Sequence, residues 1–452
     1  MRIDVLVAEI GSTTTVINAF NGIGSPCPKF VGQGQAPTSV LEGDVTIGLK
    51  GALEDLKTNL KVVELTYSEM LATSSAAGGL RMTVHGLVYD MTVRAAKEAA
   101  LGAGGIIKMV TAGKLRRTDL KNIREINPNI ILIAGGVDYG ERETALYNME
   151  QVVSLNLDVP IIYAGNIENQ EEVTEICDEA GVKLYLVDNV YPKVDVLNIE
   201  PTRRVIQSVF EEHIIHAPGM STVREMVTGP IIPTPGAVME AAKLLKNDLG
   251  DLVIFDVGGA TTDIHSVTEG SEEINKMLIS PEPYAKRTVE GDLGVFVNFM
   301  HIVDKIGLKE LKEEFPNIEQ LTKHVKPLPE TEEEIEFIER LTKEAVLTSL
   351  DRHAGTIRYI YGPTGKKTIA EGKDLTNIKY IIGTGGALTR LPRRISILRS
   401  VLEMKRGLKL YPGNDAKVLI DNDYIFASLG VLSKKYPKDA LKLMKKSLYK
   451  NQ

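Results

Sequence analysis

Two short segments carry residue types that bind phosphate and metal ions, and the two segments repeat each other. Each has an apolar run, an acid (Glu9 or Asp256), an apolar residue, a glycine and then small and hydroxyl residues. The same offset of 247 residues aligns further positions. These pairs are Asp4 with Asp251, Gly11 with Gly258, Thr14 with Thr261, Thr15 with Thr262 and Ile17 with Ile264. A match at such long separation predicts two related halves rather than a row of short repeats.

The chemistry of each segment follows from the turn that its glycine and hydroxyl residues predict. Glycine lets the backbone approach a ligand closely, and a tight turn directs several backbone N–H groups the same way. Such a turn binds phosphate oxygens, and the hydroxyl groups add donors. A carboxylate at the end of the preceding strand suits Mg²⁺, which keeps several waters and bridges to phosphate oxygens. The two turns are therefore predicted to bind the phosphates and metal of a nucleotide.

A third glycine-rich turn, GTGGA at 383–387, follows a strand-like run. Its backbone is expected to pack against a purine or ribose, because glycine leaves no side chain in the way. The turn lacks the full spacing of a dinucleotide-binding fingerprint. Any one of the three turns alone would be weak evidence, and the prediction depends on their order and separation together.

The elements around these turns indicate three α/β regions. Strand-like and helix-like runs alternate between residues 83 and 192 at a spacing of roughly 30 residues, which is typical of parallel βαβ units. We therefore predict an inserted doubly wound domain of the flavodoxin or Rossmann type at 83–192. Residues 1–82 with 193–250 are predicted to form the first half, and 251–452 the second, which includes a charged helical subdomain at about 296–356.

Composition excludes several classes of protein. The chain has 452 residues, of which 43% are hydrophobic, enough for the cores of roughly two to four domains. Its net charge of −7 gives no global tendency to bind nucleic acid. Two cysteines are too few for a disulfide framework and favour a reducing compartment. Because no apolar run approaches the ~18 residues that span a membrane, we expect a cytoplasmic protein with no membrane partner.

The three turns, taken in order, resemble the nucleotide-binding motifs of the actin, heat-shock chaperone and sugar kinase ATPase superfamily. EIGSTTT (9–15) resembles its first phosphate loop, DVGGATTD (256–263) its second, and GTGGALT (383–389) its adenosine loop. The resemblance implies an actin-like α/β fold of two ribonuclease-H-like lobes, with ATP in the cleft between them. It also implies that Glu9 and Asp256 are the catalytic acids and hold Mg²⁺ through water.

The same resemblance assigns further contacts to the nucleotide. Glu290, which precedes a helix-like run, is expected to reach the ribose or metal, with helix capping as the alternative. The predicted phosphate-binding residues are Gly11, Ser12, Thr13, Thr14, Gly258, Gly259, Ala260, Thr261 and Thr262. The predicted adenosine-binding residues are Gly383, Thr384, Gly385, Gly386, Ala387 and Glu290.

A narrower resemblance extends over essentially the whole chain. AEIGSTTTVINAF, SSAAGGLRM, IAGGVDYG and FDVGGATTDIHS resemble the glutamate mutase accessory protein family, the GlmL/MutL type that is unrelated to mismatch repair. This implies a chaperone-like, slowly hydrolysing ATPase that reactivates an adenosylcobalamin-dependent mutase by driving release of damaged cofactor. The inserted region lacks the histidine motif of cobalamin-binding domains, so we do not expect it to ligate cobalamin directly. A role in docking the mutase is our hypothesis for this region.

Three departures from the superfamily pattern favour slow hydrolysis over fast phosphotransfer. Glu9 stands where aspartate is usual, Val16 where many members have a basic residue, and Thr234 where an acid precedes the connecting helix. A small-molecule kinase of the acetate or sugar kinase type is the main alternative function. A filament-forming actin relative is the third.

Four other segments each admit a binding role and a simpler structural one. His213 and His216 are spaced to share a metal on a helix, but no third ligand is evident. His265 is expected on the outer side of the second hairpin. GPTGKKT (362–368) fails the Walker A spacing and predicts a β-turn. AGGVDYG (134–140) is either a ligand-binding loop at the strand ends or a plain βα connection.

Overall fold

The computed structural model describes residues 1–11, 13–39, 43–75, 80–214, 219–326, 328–363 and 365–450. The first helix begins where the Asp44 side chain accepts a hydrogen bond from the Thr46 N–H, and ends at Lys61 in the left-handed region. The first elements are β1 (Arg2–Ile10), β2 (Thr14–Asn21), β3 (Lys29–Pro37), α1 (Val45–Leu60) and β4 (Thr66–Ser74).

A second group of elements alternates strand and helix, as predicted for the inserted region. The group consists of β5 (Arg81–Gly86), α2 (Arg94–Gly102), β6 (Ile106–Ala112), α3 (Arg117–Ile126), β7 (Ile130–Ile133), α4 (Glu143–Val153), β8 (Ile161–Tyr163), α5 (Gln170–Ala180) and β9 (Leu184–Leu186). All pairings are parallel, in the order β6-β5-β7-β8-β9. This 2-1-3-4-5 order is that of the flavodoxin-like doubly wound fold.

The chain then returns to the first sheet through α6 (Glu200–Ile214), α7 (Met220–Met226), β10 (Ile231–Pro233) and α8 (Thr234–Leu249). The first sheet has the order β10-β4-β1-β2-β3, and β4 runs parallel to both β1 and β10. Its centre is buried because β1 is apolar on both faces near its middle. Glu9 lies at the carboxyl end of this strand.

The second half begins with β11 (Leu252–Val257), β12 (Thr262–Val267), α9 (Glu272–Asn275) and β13 (Ala285–Glu290). Helices α10 (Phe299–Ile306), α11 (Leu308–Glu314), α12 (Ile318–Lys323) and α13 (Glu332–His353) follow, within the predicted helical segment. The remaining elements are β14 (Thr356–Gly362), β15 (Gly365–Glu371), β16 (Tyr380–Thr384), α14 (Gly385–Arg390), α15 (Arg394–Arg399), β17 (Lys417–Ile420), α16 (Phe426–Leu432) and α17 (Pro437–Leu448).

The sheet of the second half repeats the sheet of the first. Its order is β13-β12-β11-β16-β17, with β12 antiparallel to β11 and β13, and β16 parallel to β11 and β17. The first sheet listed from its other edge is β3-β2-β1-β4-β10, so strands correspond one to one. This repeated topology, together with the flavodoxin-like insertion, confirms the fold class expected from the sequence.

The chain divides into two compact units. The first comprises Met1–Ala19, Gly32–Gly236 and Ser280–Pro283, and it includes the flavodoxin-like sheet. The second comprises Phe20–Val31, Ala237–Ile279 and Tyr284–Gln452. The second unit has a large apolar core in which strand residues such as Phe255 pack with Phe337 and Leu341 of α13. The flavodoxin-like sheet has its own core, centred on residues such as Ile131 and Tyr163.

Candidate nucleotide-binding site

The two repeated turns make the same backbone hydrogen bond. Gly11 N–H donates to the Thr14 carbonyl at 3.0 Å, and Gly258 N–H donates to the Thr261 carbonyl at 2.9 Å. A Cβ atom at Gly11 would lie 2.6 Å from the Thr14 oxygen, and at Gly258 3.2 Å from the Thr261 oxygen. A side chain is therefore excluded at Gly11 and tightly restricted at Gly258. The 247-residue sequence repeat is also a repeat of turn geometry.

The second turn presents a row of backbone donors. Among the described residues, no acceptor is bonded to the N–H groups of Gly259, Ala260 or Thr261, all of which lie in a partly exposed segment. Consecutive unpaired N–H groups in a turn form a concave site for an anion such as phosphate. In the first turn, Thr13 is exposed and its carbonyl accepts from Thr38 N–H at 3.0 Å. Ser12 lies outside the described residues.

The carbonyl side of the second turn is held by the segment that follows β13. Val295 N–H donates to the Gly258 carbonyl, and the Gly259 carbonyl accepts from the next two N–H groups, at 2.9 and 2.7 Å. The Asn298 side-chain amide donates to the Ala260 carbonyl at 2.9 Å. With its carbonyls bonded on one side, the turn keeps its N–H groups on the other.

Thr262 occupies a different environment from its neighbours in the turn. Its side chain is fully buried, and its hydroxyl donates to the Leu293 carbonyl at 2.7 Å. Sequence reasoning grouped it with the phosphate contacts because three small or hydroxyl residues, the last of them Thr262, follow Gly258 and Gly259. The strand pairing of β12 begins at Thr262, and this pairing fixes its side chain in the protein interior.

Asp256 brings the second and third turns together. It lies at the carboxyl end of β11, paired with Thr384 at the end of β16. A Cβ atom at Gly385 would lie 2.4 Å from the Asp256 Oδ1 atom, and the backbone there has φ +83°. Only glycine allows this approach without strain. The structure therefore places the DVGG and GTGG motifs side by side.

Burial raises the pKa of the Asp256 carboxyl to about 7, and the facing Asp263 carboxylate adds to the rise. No donor among the described residues is hydrogen-bonded to the Asp256 carboxylate. A hard cation with oxygen ligands would offset the cost of this charge. The described residues contain no group of three or more acidic, His or Cys side chains arranged to hold a metal. Mg²⁺ does not need one, since one or two carboxylates with water and phosphate suffice.

A second buried carboxylate, Asp421, lies beside this site and was missed by sequence reasoning. It follows β17 directly and accepts a hydrogen bond from the Thr384 hydroxyl at 3.0 Å. The Ile425 and Phe426 N–H groups and the Ser447 hydroxyl also donate to it. Burial nevertheless raises the pKa of Asp421 to about 6, because these bonds only partly offset desolvation.

The first half contains the counterparts of this arrangement. Glu9 is buried at the end of β1 and pairs with Thr73 on β4, as Asp256 pairs with Thr384. Thr73 accepts a hydrogen bond from the Thr234 hydroxyl at 3.2 Å, at the residue that follows β10. Thr234 therefore occupies the position that Asp421 occupies in the second half. The acid missing from the first connecting helix is present in the second half.

The third turn is only partly accessible. Gly383 and Thr384 are buried, and a Cβ atom at Gly383 would lie 2.6 Å from the Leu398 side chain. Gly386 differs, because a Cβ atom there would meet no atom within 4 Å. Ala387 is partly buried. Of the five residues predicted for this turn, Gly386 leaves the most open space for a ligand.

Glu290 forms an ion pair rather than a helix cap. Its carboxylate lies 2.6 Å from Arg352 of α13, and the same guanidinium binds both carboxylate oxygens of Asp292 at 2.7 Å. Burial raises the pKa of Glu290, and the Arg352 charge opposes that shift. Glu290 pairs with Thr262 across β12 and β13, which places it next to the second turn.

The remaining sequence candidates have structural explanations. His265 is fully buried, so the expectation that it faces outward is wrong; it pairs with Arg287 across two strands of the sheet. GPTGKKT joins β14 to β15 as a hairpin turn, as predicted, although Thr364 lies outside the described residues. His213 lies in the last turn of α6, and His216 lies outside the described residues.

The AGGVDYG loop packs tightly against the residues that follow it and against the neighbouring loop after β8. A Cβ atom at Gly136 would lie 2.6 Å from the Glu141 carbonyl, and one at Gly165 would lie 2.4 Å from Gly135 N. These glycines let adjacent loops touch at the carboxyl edge of the sheet. The geometry favours a βα connection over a ligand-binding loop.

Comparison with known proteins identifies the family. The sequence profile described as MutL protein matches residues 5–448. The chain belongs to the MutL protein family. Protein MutL of Clostridium tetanomorphum is 36% identical over 466 residues, which cover 98% of this chain and 99% of the relative. The narrower of the two resemblances expected from the sequence is thereby confirmed for this MutL family member.

Solved structures give more distant likenesses for this MutL family member. One is the diol dehydratase-reactivating factor in nucleotide-free form, 12% identical, with a TM-score of 0.39 and coverage of 97% of this chain and 100% of that one. Another is nucleotide-free acetone carboxylase, 11% identical, with a TM-score of 0.38 and coverage of 95% of this chain and 70% of that one.

Within the described part of the chain, no helix is both long and apolar enough to cross a membrane.

Proposed function

We propose that this chain is an ATP-binding, slowly hydrolysing accessory protein that reactivates an adenosylcobalamin-dependent mutase, glutamate mutase or a related aminomutase, by driving release of damaged cofactor. The observation that carries nucleotide binding is the row of N–H groups at Gly259, Ala260 and Thr261 beside Asp256, which have no acceptor within the part of the chain that the structure describes. Membership in the MutL protein family supports the accessory role.

The residues of the second turn divide the work on the phosphates. The backbone N–H groups would bind phosphate oxygens, and Asp256 would hold a magnesium ion through water. That ion would supply positive charge to the transferring phosphoryl group. Glu9 and the first turn, from Gly11 to Thr14, remain predicted phosphate and metal contacts. The open face at Gly386 is the proposed contact for adenosine.

The flavodoxin-like region is the proposed docking site for the mutase. Loops after β7, β8 and β9 are tied together, because the Asp138 carboxylate accepts from both Ile167 N–H and the Asn189 amide. They expose large apolar side chains on this framework, and Tyr139 is 77% and Val194 63% exposed. Exposed apolar residues on a rigid base are typical of a protein contact.

An ATP turnover assay with and without candidate acceptors tests this proposal against its alternatives. We expect ADP release without an acceptor and below about 10 s⁻¹, the median enzyme value. A kinase would release ADP only when an acceptor is present, and a filament former would sediment with ATP.

Asp256→Ala should lower turnover at least about tenfold, because the metal site loses its carboxylate. Asp188→Ala, an exposed carboxylate in the flavodoxin-like region, is the matched control. Unchanged turnover in folded Asp256→Ala protein would refute the metal assignment.

A further inference from the structure

A buried ion pair lies directly under the second turn. The Asp263 Oδ1 atom accepts from Arg287 Nε at 2.9 Å and lies 2.7 Å from Arg287 Nη2. Both side chains are less than a tenth exposed. The other carboxylate oxygen, Oδ2, lies 3.1 Å from the Thr261 hydroxyl in the turn itself. Arg287, Asp263 and Thr261 thus form a continuous chain of contacts from the sheet interior to the proposed phosphate site.

The number of available protons determines the direction of the hydrogen bond between Thr261 and Asp263. An ionised carboxylate can only accept hydrogen bonds, and a hydroxyl has one proton to give. Asp263 is the carboxylate partner of the buried Arg287 guanidinium, and a buried guanidinium needs a charged partner. The Thr261 proton must therefore point to Asp263 Oδ2. On the side of the turn, the Thr261 hydroxyl can therefore only accept a hydrogen bond through its lone pairs.

We infer that Thr261 accepts a hydrogen bond from a water molecule beside the terminal phosphate and does not donate to a phosphate oxygen. Asp263 and Arg287 act as positioning residues that set this polarity. This inference rests on the proposed function, since it specifies how one residue of the ATP site works. A donor to phosphate would strengthen ATP binding, whereas an acceptor for water orients the nucleophile and affects the rate.

The geometry offers a substitution that reverses the polarity while keeping both contacts. In Asp263→Asn, the amide oxygen can stay with Arg287 while the amide nitrogen faces Thr261 and donates to it. The Thr261 proton is then released toward the phosphate. Asp251→Asn is the matched control, because Asp251 accepts from the Thr268 hydroxyl at 2.7 Å and lies 3.8 Å from Lys246, at the opposite end of the same hairpin.

The test measures ATP affinity by calorimetry and turnover under single-turnover conditions. We expect Asp263→Asn to bind ATP at least as tightly as the unchanged protein and to turn over about tenfold more slowly, as loss of one hydrogen bond predicts. Thr261→Val, which lacks the hydroxyl, should lower turnover about as much as Asp263→Asn does, with ATP affinity unchanged. Thr261→Ser, which keeps the hydroxyl, should turn over at the rate of the unchanged protein. Asp251→Asn should change neither quantity.

Two results would overturn the inference. One is a Thr261→Val protein that binds ATP about tenfold more weakly at unchanged turnover, as expected for a phosphate donor. The other is normal turnover in folded Asp263→Asn protein. If that variant does not fold, the two Thr261 variants decide alone. Absence of ATP binding in the unchanged protein would instead refute the proposed function.

Discussion

Asp256 lies in an environment that disfavours its ionised form. It faces Asp263 across an antiparallel strand pair, and no donor among the described residues offsets the cost of burying it. A carboxyl whose pKa is higher in the folded protein than in the unfolded chain favours unfolding once it ionises. Such strain is typical of functional sites, where the ligand rather than the protein completes the charge balance.

The first prediction concerns this strain and its dependence on pH. Because the pKa of Asp256 is about 7 when folded and about 4 when unfolded, its contribution to the free energy of unfolding falls as pH rises through that window. Asp256→Asn cannot ionise, so it should unfold at a higher temperature than the unchanged protein at about pH 8. At about pH 5 the difference should be smaller.

Thermal unfolding of ligand-free protein checks this prediction. Asp188→Asn, which removes an exposed carboxylate, is the control and should show no such dependence on pH. An Asp256→Asn variant whose gain in melting temperature is the same at both pH values would show that ionisation of the carboxyl does not destabilise the folded protein.

At the scale of elements, the third turn separates two roles of glycine. A Cβ atom at Gly385 would collide with Asp256, whereas one at Gly386 would meet nothing within 4 Å. Gly385→Ala should therefore lower the melting temperature of ligand-free protein, because the residue is also at positive φ. Gly386→Ala should leave the melting temperature unchanged and weaken ATP binding, if adenosine packs on this open face. Unfolding curves and ATP titrations of both variants distinguish the roles; normal ATP affinity in Gly386→Ala would remove this turn from the proposed site.

The loops of the flavodoxin-like region carry a second element-scale prediction. Tyr139 has its N–H bonded to the Asn166 side chain and its ring 77% exposed. Tyr361, on the β14–β15 hairpin, is 76% exposed and serves as the matched control. Tyr139→Glu should weaken binding to the mutase, because it places a charge in an apolar contact, and Tyr361→Glu should not. Equal losses in a pull-down with purified mutase would place the contact elsewhere.

The turns could be predicted from the sequence because their information is local. Glycine, hydroxyl residues and a preceding acid recur at one offset, and both turns are closed by the same bond from the glycine N–H to the threonine carbonyl three residues later. Asp421 and the Thr73–Thr234 contact could not be predicted in this way. They depend on the register of parallel strands such as β4 and β10, which are separated by the whole flavodoxin-like region.

Buried side chains were the other limit. The burial of His265 and the internal hydroxyl of Thr262 follow from which face of β12 meets the core, and hydroxyl or imidazole groups do not reveal this in a sequence. Arg287 gave no signal either, because an isolated arginine in a strand is most often exposed. Its role became visible only through its contact with Asp263.

At the scale of the whole molecule, the chain is a duplicated sheet with a flavodoxin-like region inserted into its first copy. The duplication extends from strand order to single contacts, such as Thr73 with Thr234 and Thr384 with Asp421. The two copies differ in their acidic residues. The first half has Glu9 at the position that corresponds to Asp256, and it has Thr234 at the position that corresponds to Asp421. The second half has the richer set of carboxylates, so we expect it to contribute more than the first half to binding the metal and water.

In the proposed function, ATP drives the renewal of a damaged cobalamin enzyme. The most direct measurement is recovery of activity by hydroxocobalamin-inactivated glutamate mutase incubated with this protein, Mg²⁺, ATP and adenosylcobalamin. We expect activity to return with ATP, and not without ATP or with the Asp256→Ala protein. Failure to restore activity, by a protein shown to bind both ATP and that mutase, would contradict the account.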